Sequence, residues 1–299
     1  MLNLSTVNAF KHIQSDNCLV LNQKQLESLQ ETLIGILHDV ITVCEKYRLI
    51  YMLGGGSALG AIRHHGFIPW DDDIDINMPR EDYEKFILIF KKKFKEKYWV
   101  HTPKDTKNYG LLLARIRKKG TYVKTKEDFF NQECGAFIDI FIIENTYDNK
   151  ILRCIHGIGS LGFGFCLSCR KFYRDRRYLL ELIKGDKKNE TVFLVKILIG
   201  FFMSCISIDG WTRLSDKWNS ICKDIKTQYV VIPAGRKHFF GELYLRKDIC
   251  MTQLCKYENE ICRCPINVDK YLRKLYGDYW RIPTENERET HVVFFPFLV

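Results

Sequence analysis

The sequence predicts an α+β fold, a mixed sheet flanked by helices and interrupted by a helical apolar insertion. Three observations predict it. Leucines and their neighbours recur at helical spacing in the first part of the chain. Short apolar or alternating runs then bracket a glycine-rich turn, as strands do. Two apolar stretches, 151–168 and 191–208, separate two regions of mixed character. With 299 residues the chain has room for one large domain carrying a sizeable insertion. The expected division is a core over 1–145, a helical insertion over 146–235, and a return to the core over 236–299.

Residues 21–48 predict a helix, because Leu26, Leu29, Leu33, Leu37, Val40 and Cys44 form one apolar stripe. Leu49–Leu53 reads as a short buried strand, ended by Gly54-Gly55-Gly56-Ser57. Ser57–His65 then fits a short helix with Ser57 near its N-cap. Asp71–Met78 alternates carboxylate and apolar residues, the period of a strand. Pro79 and the acids Glu81 and Asp82 open a helix that should reach about Tyr98. Leu111–Arg117 and Ala136–Ile143 read as strands, and Val268–Tyr279 as a helix. The apolar tail 292–299 is expected to pack back on the domain or to touch a membrane.

The stretches 151–168 and 191–208 are marginal in length for a membrane span and are interrupted, so a span is not expected. They fit a buried helix hairpin or helices lying in a membrane interface. The net charge is +10, with basic runs at 91–97 and 170–177. Such a chain can hold nucleotide phosphates or an anionic membrane surface. No basic–aromatic module of known spacing occurs, so nucleic acid is not an expected partner. The twelve cysteines in so long a chain do not suggest a disulfide framework. No basic-then-apolar leader pattern opens the chain. Reduced thiols and a cytoplasmic location are therefore expected. Cys250, Cys255, Cys262 and Cys264 cluster without the paired spacing of a zinc ribbon.

The chemistry concentrates in residues 51–86, YMLGGGSALGAIRHHGFIPWDDDIDINMPREDYEKF. Gly56 and Ser57 stand where a strand gives way to a helix, and such a turn can face a phosphate. On a strand, Asp71, Asp73 and Asp75 would share one face, with Asp72 opposite. Carboxylates so close repel one another unless a cation is present. Oxygen-only ligands favour Mg²⁺ or Mn²⁺. Asp139, one acid inside an apolar strand, fits a third carboxylate, or alternatively a core ion pair with Arg115 or Arg117.

The order of hydrophobic-Gly-Gly/Ser, paired acids and a later single acid resembles the nucleotidyltransferase fold. More narrowly, GSALGAIRHHGFIPWDDDIDINMPREDYEKF resembles the LicD family, which includes fukutin-related proteins. Tyr271-Leu-Arg-Lys-Leu-Tyr-Gly-Asp-Tyr279, Pro283 and His291 resemble its C-terminal signature; residues 145–235 do not share the likeness. The resemblance implies a metal-dependent phosphotransferase, moving phosphocholine or a similar group from a CDP-linked donor to a glycan or lipid-linked glycan. It implies Asp73 and Asp75 as the metal pair, Asp139 as third acid, and Gly56 and Ser57 as the phosphate-facing turn. Asp71 becomes an additional acid, and Arg63 and His64 the basic positions before the acids, with Arg63 neutralising the leaving CMP. A lipid-linked acceptor would place the protein at the inner face of the membrane, with peripheral contact through the insertion. A nucleotidyltransferase acting on a small molecule and a non-enzymatic glycan-assembly partner remain alternatives.

Overall fold

The computed structural model describes residues 21–125, 128, 131–182, 187–284, 287–288 and 293–298. Helix α1 (Gln23–Tyr47) begins with a capping box, in which the Asn22 side chain accepts from Gln25 N and the Gln25 side chain accepts from Asn22 N. It buries the predicted stripe, and Arg48 ends it in the left-handed region. Strand β1 (Met52–Leu53) follows, then helix α2 (Gly55–Arg63) with Gly54 as its N-cap. Ser57 therefore lies inside the helix, three residues beyond the N-cap position expected for it.

Strand β2 (Asp75–Pro79) is shorter than predicted. Asp71 N donates to Ile68 O at 2.8 Å, so the chain turns there. Asp71–Asp73 project from that turn and do not alternate across a strand. Helix α3 (Arg80–Lys93) has acids in its first turn and lysines in its last, matching its dipole. It stops before Tyr98, because the chain turns on Phe94 O. Tyr98, packed on Phe90 and Phe94, instead opens strand β3 (Tyr98–His101). Strands β4 (Ala114–Lys118), β5 (Tyr122–Thr125) and β6 (Phe137–Asn145) complete the first half.

The insertion contains α4 (Lys150–Leu182), α5 (Lys187–Phe202), a 3₁₀ turn (Met203–Cys205) and α6 (Ile208–Asn219). Length is not marginal here: residues 150–180 are long and apolar enough to cross a membrane, by length and composition. The buried-hairpin expectation holds only for the inner faces, where Phe172 meets Phe193 edge to face. The outer faces carry Ile151, Ile155, Ile158, Leu194, Leu198 and Phe202 exposed.

The chain rejoins the sheet at β7 (Tyr229–Val231), ahead of the expected boundary at 235. Helix α7 (His238–Gly241), strand β8 (Leu243–Leu245), helix α8 (Arg246–Ile249), the hairpin β9 (Thr252–Tyr257) and β10 (Glu260–Pro265), and helix α9 (Val268–Tyr276) follow. Strand β11 (Val293–Leu298) pairs antiparallel with β5, so the tail packs back. The main sheet is mixed, in the order β1-β2-β6-β4-β3, with β7 on the end of β6 and β8 beside it. Only β2 and β6 run parallel among its pairs. Of the clustered cysteines, Cys255 and Cys264 face each other across the hairpin with Sγ atoms 2.6 Å apart. Among the described residues they belong to no group of three with metal-ligand spacing.

Candidate active site

The acids gather at the start of α2, and glycine makes that approach feasible. A Cβ on Gly55 would lie 2.8 Å from Asp75 Oδ2, and one on Gly56 would lie 2.8 Å from Asp71 Oδ2. Gly55 also has φ +44°, a conformation costly for other residues. The electropositive helix end thus receives carboxylates of the chain itself. This differs from the phosphate-facing turn expected of Gly56 and Ser57. Ser57 is buried, and its Oγ accepts from Asp75 N at 2.8 Å. Its hydroxyl fixes the backbone of an acid.

Carboxylate oxygens of Asp71, Asp72 and Asp73 lie within 4.8 Å of one another, the one such group among the described residues. The grouping joins Asp72 to the set, against the strand geometry that put it on the opposite face, because a turn carries these three. Asp75 stands in register with Asp139 across the parallel β2–β6 pair, so both side chains share one sheet face. Asp139 is gripped by Arg115, whose Nε and Nη2 donate to its two oxygens at 2.6 and 2.7 Å. The ion pair weighed as an alternative for Asp139 is therefore present.

Three phenols from the end of the chain close the site. Tyr271 Oη accepts from Gly55 N at 2.9 Å and from Asn77 Nδ2 at 3.2 Å, locking α9 to the glycine turn. Burial raises the Tyr276 phenol well above its usual range, with Tyr271 and the charges of Asp75 and Asp71 adding to the effect. Burial does the same to Tyr257, reinforced by Asp71 and Asp73. Both phenols stay protonated beside the acids. Sequence reasoning gave no role to Tyr276 and did not single out Tyr257, Asn77 or Asp72. The C-terminal signature that contains Tyr271 and Tyr276 was the available signal. His291 lies outside the described residues.

Arg63 and His64 are used differently from expectation. Arg63 Nη1 donates to Tyr279 O at 2.6 Å and to Arg281 O at 3.3 Å, and its Nε donates to His64 Nε2. The pair ties α2 to the segment after α9. Burial, then the neighbouring Arg63 charge, lowers the His64 pKa, which suits an acceptor nitrogen.

The fold and these acids define a nucleotidyltransferase-type domain, and residues 48–154 match the family model described as LicD/FKTN/FKRP, nucleotidyltransferase domain. The chain is 38% identical over 294 residues to the lipopolysaccharide cholinephosphotransferase LicD of Haemophilus influenzae, covering 91% of this chain and 96% of that protein. It is 44% identical over 57 residues to the ribitol 5-phosphate transferases FKRP of Homo sapiens and Mus musculus, covering 19% of this chain and 11% of theirs. This chain belongs to the LicD family.

Proposed function

We propose that this protein transfers phosphocholine, or a similar phospho-group, from a CDP-activated donor to a glycan of the lipopolysaccharide or glycolipid kind. The observation that carries the reading is the acid cluster at the start of α2, in a chain alike over nearly its whole length to a lipopolysaccharide cholinephosphotransferase.

The donor set fits Mg²⁺ or Mn²⁺, being all oxygen with one ligand atom of each acid within 4.8 Å of the others. Asp71, Asp72 and Asp73 would hold the ion, with Asp75 beside them and Asp139 as third acid on the neighbouring strand. Bound there, the ion would offset charge building on the transferred phosphoryl oxygens. The protonated Tyr276 can donate to those oxygens, while the buried Tyr257 hydroxyl bonds Ser57. Asp139, fixed in orientation by Arg115, can still accept a bond from the attacking sugar hydroxyl, because each carboxylate oxygen has two lone pairs. Ser57, Tyr271, Arg63 and His64 act as positioning residues. Such chemistry depends chiefly on placement and charge.

On this reading the acceptor approaches from the insertion side. A cavity of about 480 Å³ there is lined by Leu111, Leu113, Phe165 and Phe172, with Lys171 and Lys196. Together with the outward apolar faces of α4 and α5, it suits a lipid-linked acceptor met at the cytoplasmic face of a membrane.

The test is CMP release from CDP-choline, CDP-ribitol and CDP-glycerol with glycan acceptors, with Mg²⁺, Mn²⁺ or EDTA. Metal-dependent release from one donor, reduced at least 100-fold in Asp73→Asn and Asp75→Asn, is expected, as for loss of a major electrostatic contribution of roughly 2.7–4 kcal/mol. Release that ignores EDTA and both substitutions would overturn the reading.

A further inference from the structure

Behind Asp139 lies a second, smaller cavity of about 80 Å³ that the reaction above does not use. His101, Tyr109, Arg115 and Arg117 line it, with Lys107 and Arg174. Each of the first four brings a buried polar atom that makes no hydrogen bond: His101 Nδ1, Tyr109 Oη, Arg115 Nη1 and Arg117 Nε. Buried polar atoms are nearly always paired, so four orphans around one cavity point to an absent occupant. The remaining nitrogens of these side chains are engaged. Arg115 holds Asp139, Arg117 Nη2 donates to Asp128 at 2.5 Å, and His101 Nε2 meets Glu133 at 2.6 Å.

The orphan set has a definite chemistry. Arg115 Nη1, Arg117 Nε and Tyr109 Oη are donors. The two guanidinium groups are more than nine-tenths buried, and both lie over the Phe137 ring. Burial, then the charge of Arg115, lowers the Arg117 pKa, so the two cations disfavour each other as they stand. Burial likewise lowers the His101 pKa. A neutral His101 that donates from Nε2 to Glu133 leaves Nδ1 as an acceptor. The cavity therefore offers three donors and one acceptor, and its lining carries more cations than carboxylates, Lys107, Arg115, Arg117 and Arg174 against Asp128. A water's share of liquid volume is about 30 Å³. The space suits one tetrahedral group, and a sugar or nucleoside attached to that group would lie outside it.

We propose that this cavity is a binding site for a phosphate group carrying one protonated oxygen, held by Arg115, Arg117 and Tyr109 with its hydroxyl donated to His101. A phosphate on Arg115 Nη1 would share a guanidinium with Asp139 and so reach the acid cluster through one side chain. The site would report a second phosphate, on the acceptor or released from the donor, in the transfer proposed above. It rests on that reading only for the source of the phosphate.

Binding is measured by calorimetry on the full chain in EDTA, at constant ionic strength in chloride, without donor, so failure of the transfer reaction leaves the result interpretable. The probes are inorganic phosphate, a hexose phosphate and CMP. The variant is Tyr109→Phe, which removes an unbonded hydroxyl and so spares the fold. The expected result is saturable phosphate binding that weakens about tenfold or more in Tyr109→Phe, as for loss of one bond to a charged group. Phosphate addition should also shift the Nε–H resonances of Arg115 and Arg117 in arginine-labelled protein. Hexose phosphate binding would assign the source to the acceptor, and CMP binding alone would assign it to the donor; both support the site. No binding above chloride, or equal binding in Tyr109→Phe with unmoved arginine resonances, would overturn it and leave buried water as the occupant.

Discussion

At the scale of single residues, the site is a set of glycines, acids and phenols that each explain another's identity. Gly55 and Gly56 lack side chains where Asp75 and Asp71 enter, and Ser57 holds the Asp75 backbone. Asp73, Asp75 and Asp139 were legible in the sequence because acids among apolar residues are costly without a partner. The turn at Asp71 was not legible, because it depends on Asp71 N finding Ile68 O, and alternation alone imitates a strand. The phenols were hidden by distance, since Tyr271 reaches Gly55 from 216 positions away. Tyr271→Phe should orphan two donors, Gly55 N and Asn77 Nδ2. The expected cost is about 1–3 kcal/mol or more, read as a lower urea midpoint at unchanged m-value. Metal-dependent CMP release should fall in the same variant, because the glycine turn loses its anchor. A variant as stable as wild type would show that the phenol does not secure this turn.

At the scale of elements, periodicity served well where one face is buried and poorly elsewhere. Helix α1 was predicted to within two residues because its apolar stripe is the face that the core buries. Strands β3, β5 and β7 to β11 were missed. They are short, and residues such as Lys124, Lys256 and Arg263 interrupt the apolar pattern. The insertion shows the opposite effect. Its helices were visible, but which faces they leave uncovered was not, because packing decides that. Ile158 is 63% exposed on α4, and Leu198 is 60% exposed on α5. Arg170, Arg174, Arg176 and Arg177 lie on the same α4 helix. Lipid attraction through such a face combines apolar burial with charge. Ile158→Glu, a change on an exposed surface, should leave the melting temperature within a few degrees of wild type. It should also reduce co-sedimentation with vesicles containing anionic phospholipid severalfold, with the remaining binding lost at high salt. Vesicle binding identical to wild type would remove the lipid role from this face.

At the scale of the whole molecule, the question is what couples the insertion to the catalytic sheet, a relation that sequence could not show. His156 on α4 bridges Thr146 Oγ1, just after β6, to Trp218 O at the end of α6. Arg80 does the same with charge. From the first turn of α3 it donates to Glu144 at the end of β6 and, at 2.7 Å, to Asp216 on α6. Glu144 is 3% exposed, and its burial raises its pKa despite the opposing influence of Arg80. The carboxylate thus sits in a place that tolerates charge only while the guanidinium remains. The same β6 carries Asp139, so the clamp fixes the insertion against the strand that bears the third acid. Removing one member of a buried pair is expected to cost about 3–5 kcal/mol, because the other charge stays behind unpaired. Arg80→Met should therefore destabilise the protein by that order in urea unfolding. Glu144→Gln combined with Arg80→Met removes the stranded charge and should recover part of the loss. If the single and double variants are equally unstable, loss of arginine packing explains the effect. If the single variant matches wild type, the insertion is held by its apolar contacts and the His156 bonds, and α4 and α6 can move against the acid cluster without breaking an ion pair.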